Sequence, residues 1–245
     1  MSIKIENVVT SSPEQWKSII VGMRHPLLSY DRMDTCFGDI DCMYCEYCEP
    51  NKNSCEMTKH GGGQEIGPND LDLMMRLRNA GPEHRKFMRM ITAYMDITAP
   101  LYWWKEFDTY KVGTVANSCS TMHKIHAKEF TLEDFSCEHL WKRSKNNLMR
   151  TINELNVFRN IYINGCPEEM GEEEIEPKDK AMWWQMIQLL PSSYNQKRKI
   201  MLNYEVLTTM YHQRKNHKLD EWREFCRWIE TLPYSELITG SRKED

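Results

Sequence analysis

The chain has 245 residues, 40% of them hydrophobic, and a formal net charge of −4, which argues against nucleic acid as the main partner because phosphate backbones are held by clustered Lys and Arg. No stretch approaches the roughly 18 uninterrupted apolar residues of a membrane span, and the opening residues, MSIKIENVVT, lack the basic-then-apolar order of a signal peptide. The composition therefore predicts a packed protein of a reducing, cytoplasm-like compartment, with nucleic acids and membranes excluded as partners.

The N-terminal half alternates between strand and helix patterns. Residues 3–9, IKIENVV, begin with an apolar alternation that predicts a short strand. A helix is predicted from Pro13 onward, with Ser11 or Ser12 as its N-cap, because apolar residues then recur at helical spacing. A second helix over 70–80 is stopped by a Gly-Pro pair. The strand predicted after it has one apolar face: Phe87, Ile91, Ala93, Met95 and Ile97.

Pro100 opens a third helix, PLYWWKEF, which leads into the polar segment 107–124, FDTYKVGTVANSCSTMHK. Buried polar atoms need hydrogen-bond partners, which a ligand could supply, so we expect this segment to be a functional loop. Beyond residue 138 we expect helices throughout, because apolar residues recur there in stripes of helical spacing. The first stripe consists of Leu140, Leu148, Ile152, Leu155 and Phe158. The sequence therefore predicts one α+β domain over 1–245, with a small N-terminal sheet, long helices in the C-terminal half and a Cys-rich insertion at about 34–66.

The Cys-rich insertion contains a candidate metal site. The run CMYCEYCEPNKNSC has C-x2-C-x2-C-x6-C spacing, and thiols two residues apart can meet on one metal ion within a tight turn. Zinc is the first choice, although related spacings also ligate iron–sulfur clusters. The alternative is a loop of free thiols, because no second C-x2-C pair accompanies the run. The predicted ligands are Cys42, Cys45, Cys48 and Cys55, and elemental analysis of the purified protein tests them.

With the strand, the turn ITAP, the helix and the polar segment in this order, the chain resembles the flavin-dependent thymidylate synthases. That family has a strand ending in x-A-P, a helix, and the signature R-H-R-x-x-S-x-N-E-x-S-x-R-Y. Counted from the turn, residues 109–111, Thr-Tyr-Lys, occupy the Arg-His-Arg positions. After one inserted residue, Asn117 and Ser118 fall on Asn-Glu, Ser120 falls on the second Ser, and Met122 falls on the following Arg.

Two further blocks extend the resemblance over residues 81–229. The segment GPEH, which ends at His84, is similar to the family's SPFEH. Downstream, Pro191, Asn203 and Arg214 are spaced like the family's proline, flavin-contacting Asn and uracil-contacting Arg. The resemblance therefore implies flavin contacts from Tyr110, Lys111, Asn203 and His84, and nucleotide contacts from Asn117, Ser118, Ser120 and Arg214.

The family adds a methyl group to carbon 5 of deoxyuridine monophosphate (dUMP), taking a methylene from a folate and a hydride from reduced flavin. The resemblance thus implies a thymidylate synthase-like fold, FAD as cofactor, NADPH and methylene-tetrahydrofolate as co-substrates, a pyrimidine deoxynucleotide as substrate, and a homotetramer with sites between subunits. It does not identify a catalytic residue. Cys119, which lies in the polar segment, has no obvious neighbouring base and is not expected to be a nucleophile.

The signature in this chain is degenerate. Only Lys111 keeps a positive charge in the Arg-His-Arg positions, and Met122 stands where the family has an arginine that holds the nucleotide phosphate. Such a charge-assisted contact contributes about 1.5 to 3 kcal/mol, so another cation must replace it if the site is retained. The candidate replacements are Lys124, Lys197, Arg198 and Lys199.

Several candidate residues also have a structural interpretation: Trp103 and Trp104 are expected to be core residues, and His84 could simply be a surface residue. Ser118 and Ser120 could be turn residues that bond to their own backbone. Arg214 could cap a helix or pair with Asp220 or Glu221. Two functions therefore stay open. The polar segment favours a flavin-dependent enzyme acting on a pyrimidine deoxynucleotide, and the degenerate signature favours a non-catalytic nucleotide-binding or interaction protein that keeps the fold.

Overall fold

A computed structural model describes residues 3–35, 66–166 and 175–240 of the chain. Ser12 begins the first helix with a capping box, because its Oγ accepts the N–H of Gln15 while the Gln15 side chain accepts the N–H of Ser12. The predicted order of the N-terminal elements is confirmed: β1 (Lys4–Thr10), α1 (Pro13–Arg24), α2 (Pro68–Ala80), β2 (Thr92–Pro100) and α3 (Leu101–Phe107). The second strand starts later than expected, because Phe87 belongs to a 3-10 turn, Lys86–Arg89, that precedes it.

Two strands of the sheet differ from the sequence expectations. β3 (Thr114–Ser118) lies inside the segment expected to be a loop, and β4 (Asn195–Asn203) lies in the region expected to be helical throughout. Both expectations are wrong at these positions. The sheet is antiparallel in the order β1-β2-β4-β3, so β4 pairs with β2 on one side and with β3 on the other. The predicted α+β class is confirmed, although its central strand comes from the C-terminal half.

The other described α-helices follow in chain order. They are α4 (Thr121–Lys124), α5 (Lys142–Asn164), α6 (Lys180–Leu189), α7 (Tyr204–Arg214), α8 (Asp220–Ile229) and α9 (Glu236–Thr239). One face of β2 and β4 packs on the main core, to which α1, α2, α3, α7, α8 and α9 contribute. Trp103 and Trp104 of α3 lie at its centre with 0% and 1% of their surface exposed, which confirms their interpretation as core residues.

A second hydrophobic cluster forms between α5 and α6. Leu148, Ile152 and Leu155 of α5 pack there against Met186 of α6, as their helical spacing predicts. Leu140 was expected to start the same stripe, but it lies before α5 and is 41% exposed. Ile125, Phe130 and Phe135 complete the cluster and bring the segment after α4 onto it.

A buried ion pair lies where the chain enters and leaves residues 36–65. Arg24 and Asp70 are 2% and 0% exposed, and Nε of Arg24 lies 2.6 Å from Oδ1 of Asp70. The other carboxylate oxygen of Asp70 accepts bonds from the N–H and the hydroxyl of Thr35 at 2.9 and 2.5 Å. The hydroxyl of Thr35 in turn accepts the N–H of Gly67 at 3.1 Å. The pair therefore fastens both ends of the Cys-rich insertion to α1 and α2.

The predicted metal ligands Cys42, Cys45, Cys48 and Cys55, together with Cys36, lie outside the described residues, so the metal site stays a prediction. Within the described ranges, no group of three or more His, Cys, Asp or Glu side chains could hold a metal ion. Among the described helices, none combines the length and the apolar character that a bilayer crossing requires.

Candidate functional site

The turn that follows β3 borders a cavity of about 280 Å³. β4 fixes the position of this turn. The N–H of Cys119 donates to the carbonyl of Lys197 at 2.9 Å, and the carbonyl of Cys119 accepts a bond from the Gln196 side chain at 2.9 Å. Ser120 then caps α4, accepting the N–H of His123 at 2.9 Å. Ser120 therefore bonds to nearby backbone, as its structural interpretation predicts, and it also lines the cavity. Other lining residues are Lys124, Ile125, Phe130 and Tyr194.

The cavity combines flat apolar walls with one unused hydroxyl. The rings of Phe130 and Tyr194 meet edge to face at 6.2 Å. In the described part of the chain, the Tyr194 hydroxyl makes no hydrogen bond. Burial raises the pKa of Tyr194, and the neighbouring Asp134 and Cys119 act in the same direction. The phenol therefore stays protonated at neutral pH and can donate to a ligand.

Arg198 is not available as a phosphate ligand. Its Nε donates to the Gln196 side chain at 2.9 Å, and its Nη1 donates to Asp108 at 2.7 Å. The guanidinium also lies over the Trp104 ring, 4.2 Å from the ring centroid. Through these contacts, Arg198 holds β4 against α3.

The lysines of β4 are also paired. Nζ of Lys199 lies 2.8 Å from Asp96 and Nζ of Lys197 lies 3.5 Å from the same carboxylate. The bonds from Lys199 and then Asn7 lower the pKa of Asp96 to about 2. Lys124 differs from these lysines, because it has no ion pair or hydrogen bond from its ammonium among the described residues. Of the four candidate cations, Lys124 is therefore the one at the cavity that has no counter-ion among residues 3–35, 66–166 and 175–240.

Arg214, the predicted uracil ligand, ends α7 in a separate polar cluster. Its Nη1 donates to Oε2 of Glu106 at 2.7 Å and its Nε donates to the hydroxyl of Tyr110 at 2.8 Å. The guanidinium lies 4.8 Å from the ring centroid of Trp222. The expected alternative partners, Asp220 and Glu221, do not contact it. The ion pair that the sequence suggested exists, but its partner is Glu106.

Glu106 is the centre of this cluster. Its Oε2 accepts the indole N–H of Trp222 at 2.9 Å and lies 3.5 Å from Nε2 of His217. The N–H of Leu219 points at Nδ1 of His217 at 3.2 Å, which assigns the ring proton to Nε2, facing Glu106. No local pattern in the sequence marks Glu106, because its partners Arg214 and Trp222 lie more than 100 residues away along the chain.

The predicted flavin ligands are distributed over two regions. Asn203 caps α7, accepting the N–H of Val206 at 2.9 Å, and packs so closely on Gly113 that a Cβ there would lie 2.6 Å from its Nδ2. Lys111 is exposed, with no ion pair among the described residues. His84 is 56% exposed and borders another cavity, of about 450 Å³, between α1 and the 3-10 turn before β2.

The structure thus brings some predicted residues together and keeps others apart. Tyr110 and Arg214 are in direct contact. Asn117 and Ser118 end β3 next to Ser120, whereas Tyr110 precedes β3, and its carbonyl accepts the hydroxyl of Thr114, the first residue of the strand. The length of β3, about 13 Å at 3.3 Å per residue, separates the two groups. Within one chain, Arg214 does not line the cavity at Ser120, and the roles predicted for these residues stay predictions.

No protein-family model matches the sequence, and no curated protein is similar to it. Solved structures do match in fold. The flavin-dependent thymidylate synthase ThyX from Helicobacter pylori complexed with FAD and dUMP has a TM-score of 0.58 and 13% identity, over 99% of this chain and 100% of that chain. A second structure of thymidylate synthase X from Helicobacter pylori with FAD and dUMP gives a TM-score of 0.57 at 12% identity, over the full length of both chains. These values establish a ThyX-like fold for the whole chain.

Proposed function

We propose that this protein is a flavin-dependent enzyme that acts on a pyrimidine deoxynucleotide, in the manner of the flavin-dependent thymidylate synthases. The observation that carries the proposal is the cavity beside the turn after β3, where Ser120 and the ring of Phe130 lie with Lys124 and Tyr194. The Lys124 ammonium and the Tyr194 hydroxyl have no partner in the described part of the chain. The fold similarity supports it, because the neighbouring structures contain FAD and dUMP.

In this proposal the cavity takes the phosphate and part of the sugar of dUMP. The ammonium of Lys124 replaces the arginine that the signature has lost, and the hydroxyls of Ser120 and Tyr194 donate to phosphate oxygens. Asn117 and Ser118 approach from the end of β3. Phe130 provides an apolar surface that excludes water from the charged contacts, which strengthens them.

The residues of the loop before β3 are compatible with a flavin. The side chain of Val112 is 90% exposed beside the unpaired Lys111, so this loop offers an apolar surface and a cation for a large, flat, phosphorylated ligand. A bound FAD would supply the hydride chemistry. Tyr110, Lys111, Asn203 and His84 would position it, with His84 contributed by a second subunit. NADPH and methylene-tetrahydrofolate complete the proposed reaction as co-substrates.

A homo-oligomer, a tetramer by resemblance, belongs to the proposal, and the free face of the sheet supports it. Val9 of β1, Tyr94 of β2, Met201 of β4 and Val115 of β3 form one cross-strand row. Val9, Tyr94 and Val115 are 61%, 45% and 55% exposed. An apolar row across a whole sheet is typical of a surface that packs on another chain. The mass of the protein in solution, measured by light scattering, tests this.

Adding FAD to the purified protein is expected to give the flavin absorbance bands on the protein fraction after gel filtration. The FAD-loaded protein, supplied with NADPH and methylene-tetrahydrofolate, is then expected to release tritium from dUMP labelled at carbon 5, because methylation replaces that hydrogen. Protein that stays colourless at saturating FAD would contradict the proposed enzyme.

Lys124→Gln is expected to weaken dUMP binding by about tenfold to a hundredfold, because the lost charge-assisted phosphate contact contributes about 1.5 to 3 kcal/mol. Binding of deoxyuridine, which lacks the phosphate, should change by less than twofold. Lys145→Gln, which removes an exposed lysine of α5, is the matched control. Calorimetric titration measures all of these affinities, and an equal loss for both ligands would argue against a phosphate role.

The second candidate function, a non-catalytic nucleotide-binding or interaction protein, is favoured by one observation. Tyr110 and Arg214, predicted to contact the flavin and the uracil, bond to each other, and Arg214 also bonds to Glu106. A dUMP-binding protein that takes up no FAD would support this alternative.

A further inference from the structure

The Arg214–Glu106 pair leaves one donor group and one acceptor atom unused. Nη2 of Arg214 and Oε1 of Glu106 make no hydrogen bond with any residue that the structure describes. The two side chains are 19% and 35% exposed, so both groups can be reached by a ligand. On the same two side chains, Nη1 of Arg214 donates to Oε2 of Glu106 at 2.7 Å. Each unused atom therefore lies beside an atom that is already hydrogen-bonded.

The surrounding contacts hold both unused groups in place. Oε2 of Glu106 is fixed by Arg214 and by the indole of Trp222. Nε of Arg214 is fixed by Tyr110, whose hydroxyl donates to the side chain of Gln213 at 2.8 Å. A guanidinium and a carboxylate with so little freedom lose little conformational entropy when a ligand binds.

The charge of the pair selects the kind of ligand. Arg214 is compensated by Glu106, so the pair as a whole is neutral and gains little from a second anion. A ligand that offers a carbonyl oxygen beside an N–H group satisfies both unused atoms, since a guanidinium only donates and an ionised carboxylate only accepts. The imide edge of uracil has this arrangement, with carbonyl groups on either side of N3–H.

We infer that Glu106 and Arg214 together read the imide edge of a uracil ring, with Nη2 of Arg214 donating to a ring carbonyl and Oε1 of Glu106 accepting the proton on N3. This inference rests on the proposed binding of a pyrimidine deoxynucleotide at a site between two subunits, because the pair and the cavity at Ser120 lie at opposite ends of β3 within one chain. It makes Glu106, to which the resemblance gives no role, the specificity-determining residue. Cytosine is rejected, because its N3 carries a lone pair that would face the carboxylate.

The test compares dUMP with dCMP in calorimetric titrations of the FAD-supplemented full-length protein. The unchanged protein should prefer dUMP by at least about tenfold, the discrimination expected from one hydrogen bond to a charged group. In Glu106→Gln the preference should fall to within about threefold, because the amide can donate to N3 of cytosine as well as accept from N3 of uracil. Glu205→Gln is the matched control, since it alters another partly buried ion pair, with Arg85 at 2.8 Å, and should leave the preference unchanged.

A second measurement does not depend on the folding of a variant. A dUMP analogue methylated at N3 keeps both carbonyls and loses the proton, and it should bind the unchanged protein at least tenfold more weakly than dUMP. Equal binding of the two, or a preference for dUMP that survives Glu106→Gln, would overturn the inference while leaving the proposed function intact. Failure of the unchanged protein to bind either nucleotide would instead overturn the proposed function, and the inference with it.

Discussion

Asp70→Asn is expected to lower the free energy of unfolding by about 3 to 5 kcal/mol, because it leaves the charge of Arg24 buried without a counter-ion. The side chain of Arg24 is 2% exposed, so water cannot replace the carboxylate while the surrounding structure is kept. Its Nη1 and Nη2 already donate to the carbonyls of Ser29 and Arg32 at 3.0 and 2.9 Å, which satisfies hydrogen bonds but supplies no negative charge. The substitution also replaces one of the two accepting oxygens by an amide N–H₂, so either Arg24 or the Thr35 donors lose an acceptor.

Urea or thermal unfolding followed by circular dichroism measures this effect, which corresponds to a fall of roughly 6 to 20 °C in the melting temperature of a chain of this size. Asp72→Asn is the matched control on the same helix. Its pair with Arg76, at 2.9 Å, has 51% and 69% of its side chains exposed, so its loss should change stability by less than about 1 kcal/mol. Similar, small effects of the two substitutions would show that the buried pair contributes no more than the surface pair.

Elements with a strong local pattern could be predicted from the sequence. The capping residue Ser12, the stripe of α1 and the run of bulky residues in α3 are local signals, and the structure places them as expected. The core residues of β2 were also identified, because Ala93, Met95 and Ile97 alternate and all three are fully buried.

β4 was missed because its sequence, NQKRKIMLN, shows apolar alternation only at its C-terminal end. Ile200 and Leu202 face the core, but Lys197 and Lys199 face the free side of the sheet, where Asp96 of β2 compensates them. Such cross-strand partners are invisible to a pattern read along one segment. β3 was missed because it has only five residues and most of its surface is exposed, so neither face carries an apolar signal.

The candidate site illustrates the same limit. The spacing of Ser120 and Arg214 pointed to residues that the structure places at a cavity and in a polar cluster. The sequence could not predict which candidate cation lacks a counter-ion among the described residues, since Arg198 and Lys124 are both basic. Only the fold shows that Arg198 is held by Asp108 and Trp104. Glu106 likewise became visible only when folding brought it to Arg214.

Arg214→Ala is expected to weaken dUMP binding by about a hundredfold. One hydrogen bond from a charged donor accounts for about 1.5 to 3 kcal/mol, which is tenfold to more than a hundredfold in affinity. The variant also leaves the carboxylate of Glu106 without its cation, so an uncompensated negative charge faces an anionic ligand. The effect should therefore exceed that of removing a lone contact, and titration calorimetry with dUMP measures it.

The double variant Arg214→Ala with Glu106→Ala separates the two contributions. If repulsion by the uncompensated carboxylate is part of the loss, removing Glu106 as well should recover about fivefold to tenfold of the affinity, a coupling expected only for residues in direct contact. Arg85→Ala removes another partly buried arginine that pairs with a glutamate and should leave dUMP affinity within twofold. Unchanged dUMP affinity in folded Arg214→Ala protein would mean that the guanidinium serves only to join α7 to α3, and that the uracil is held elsewhere.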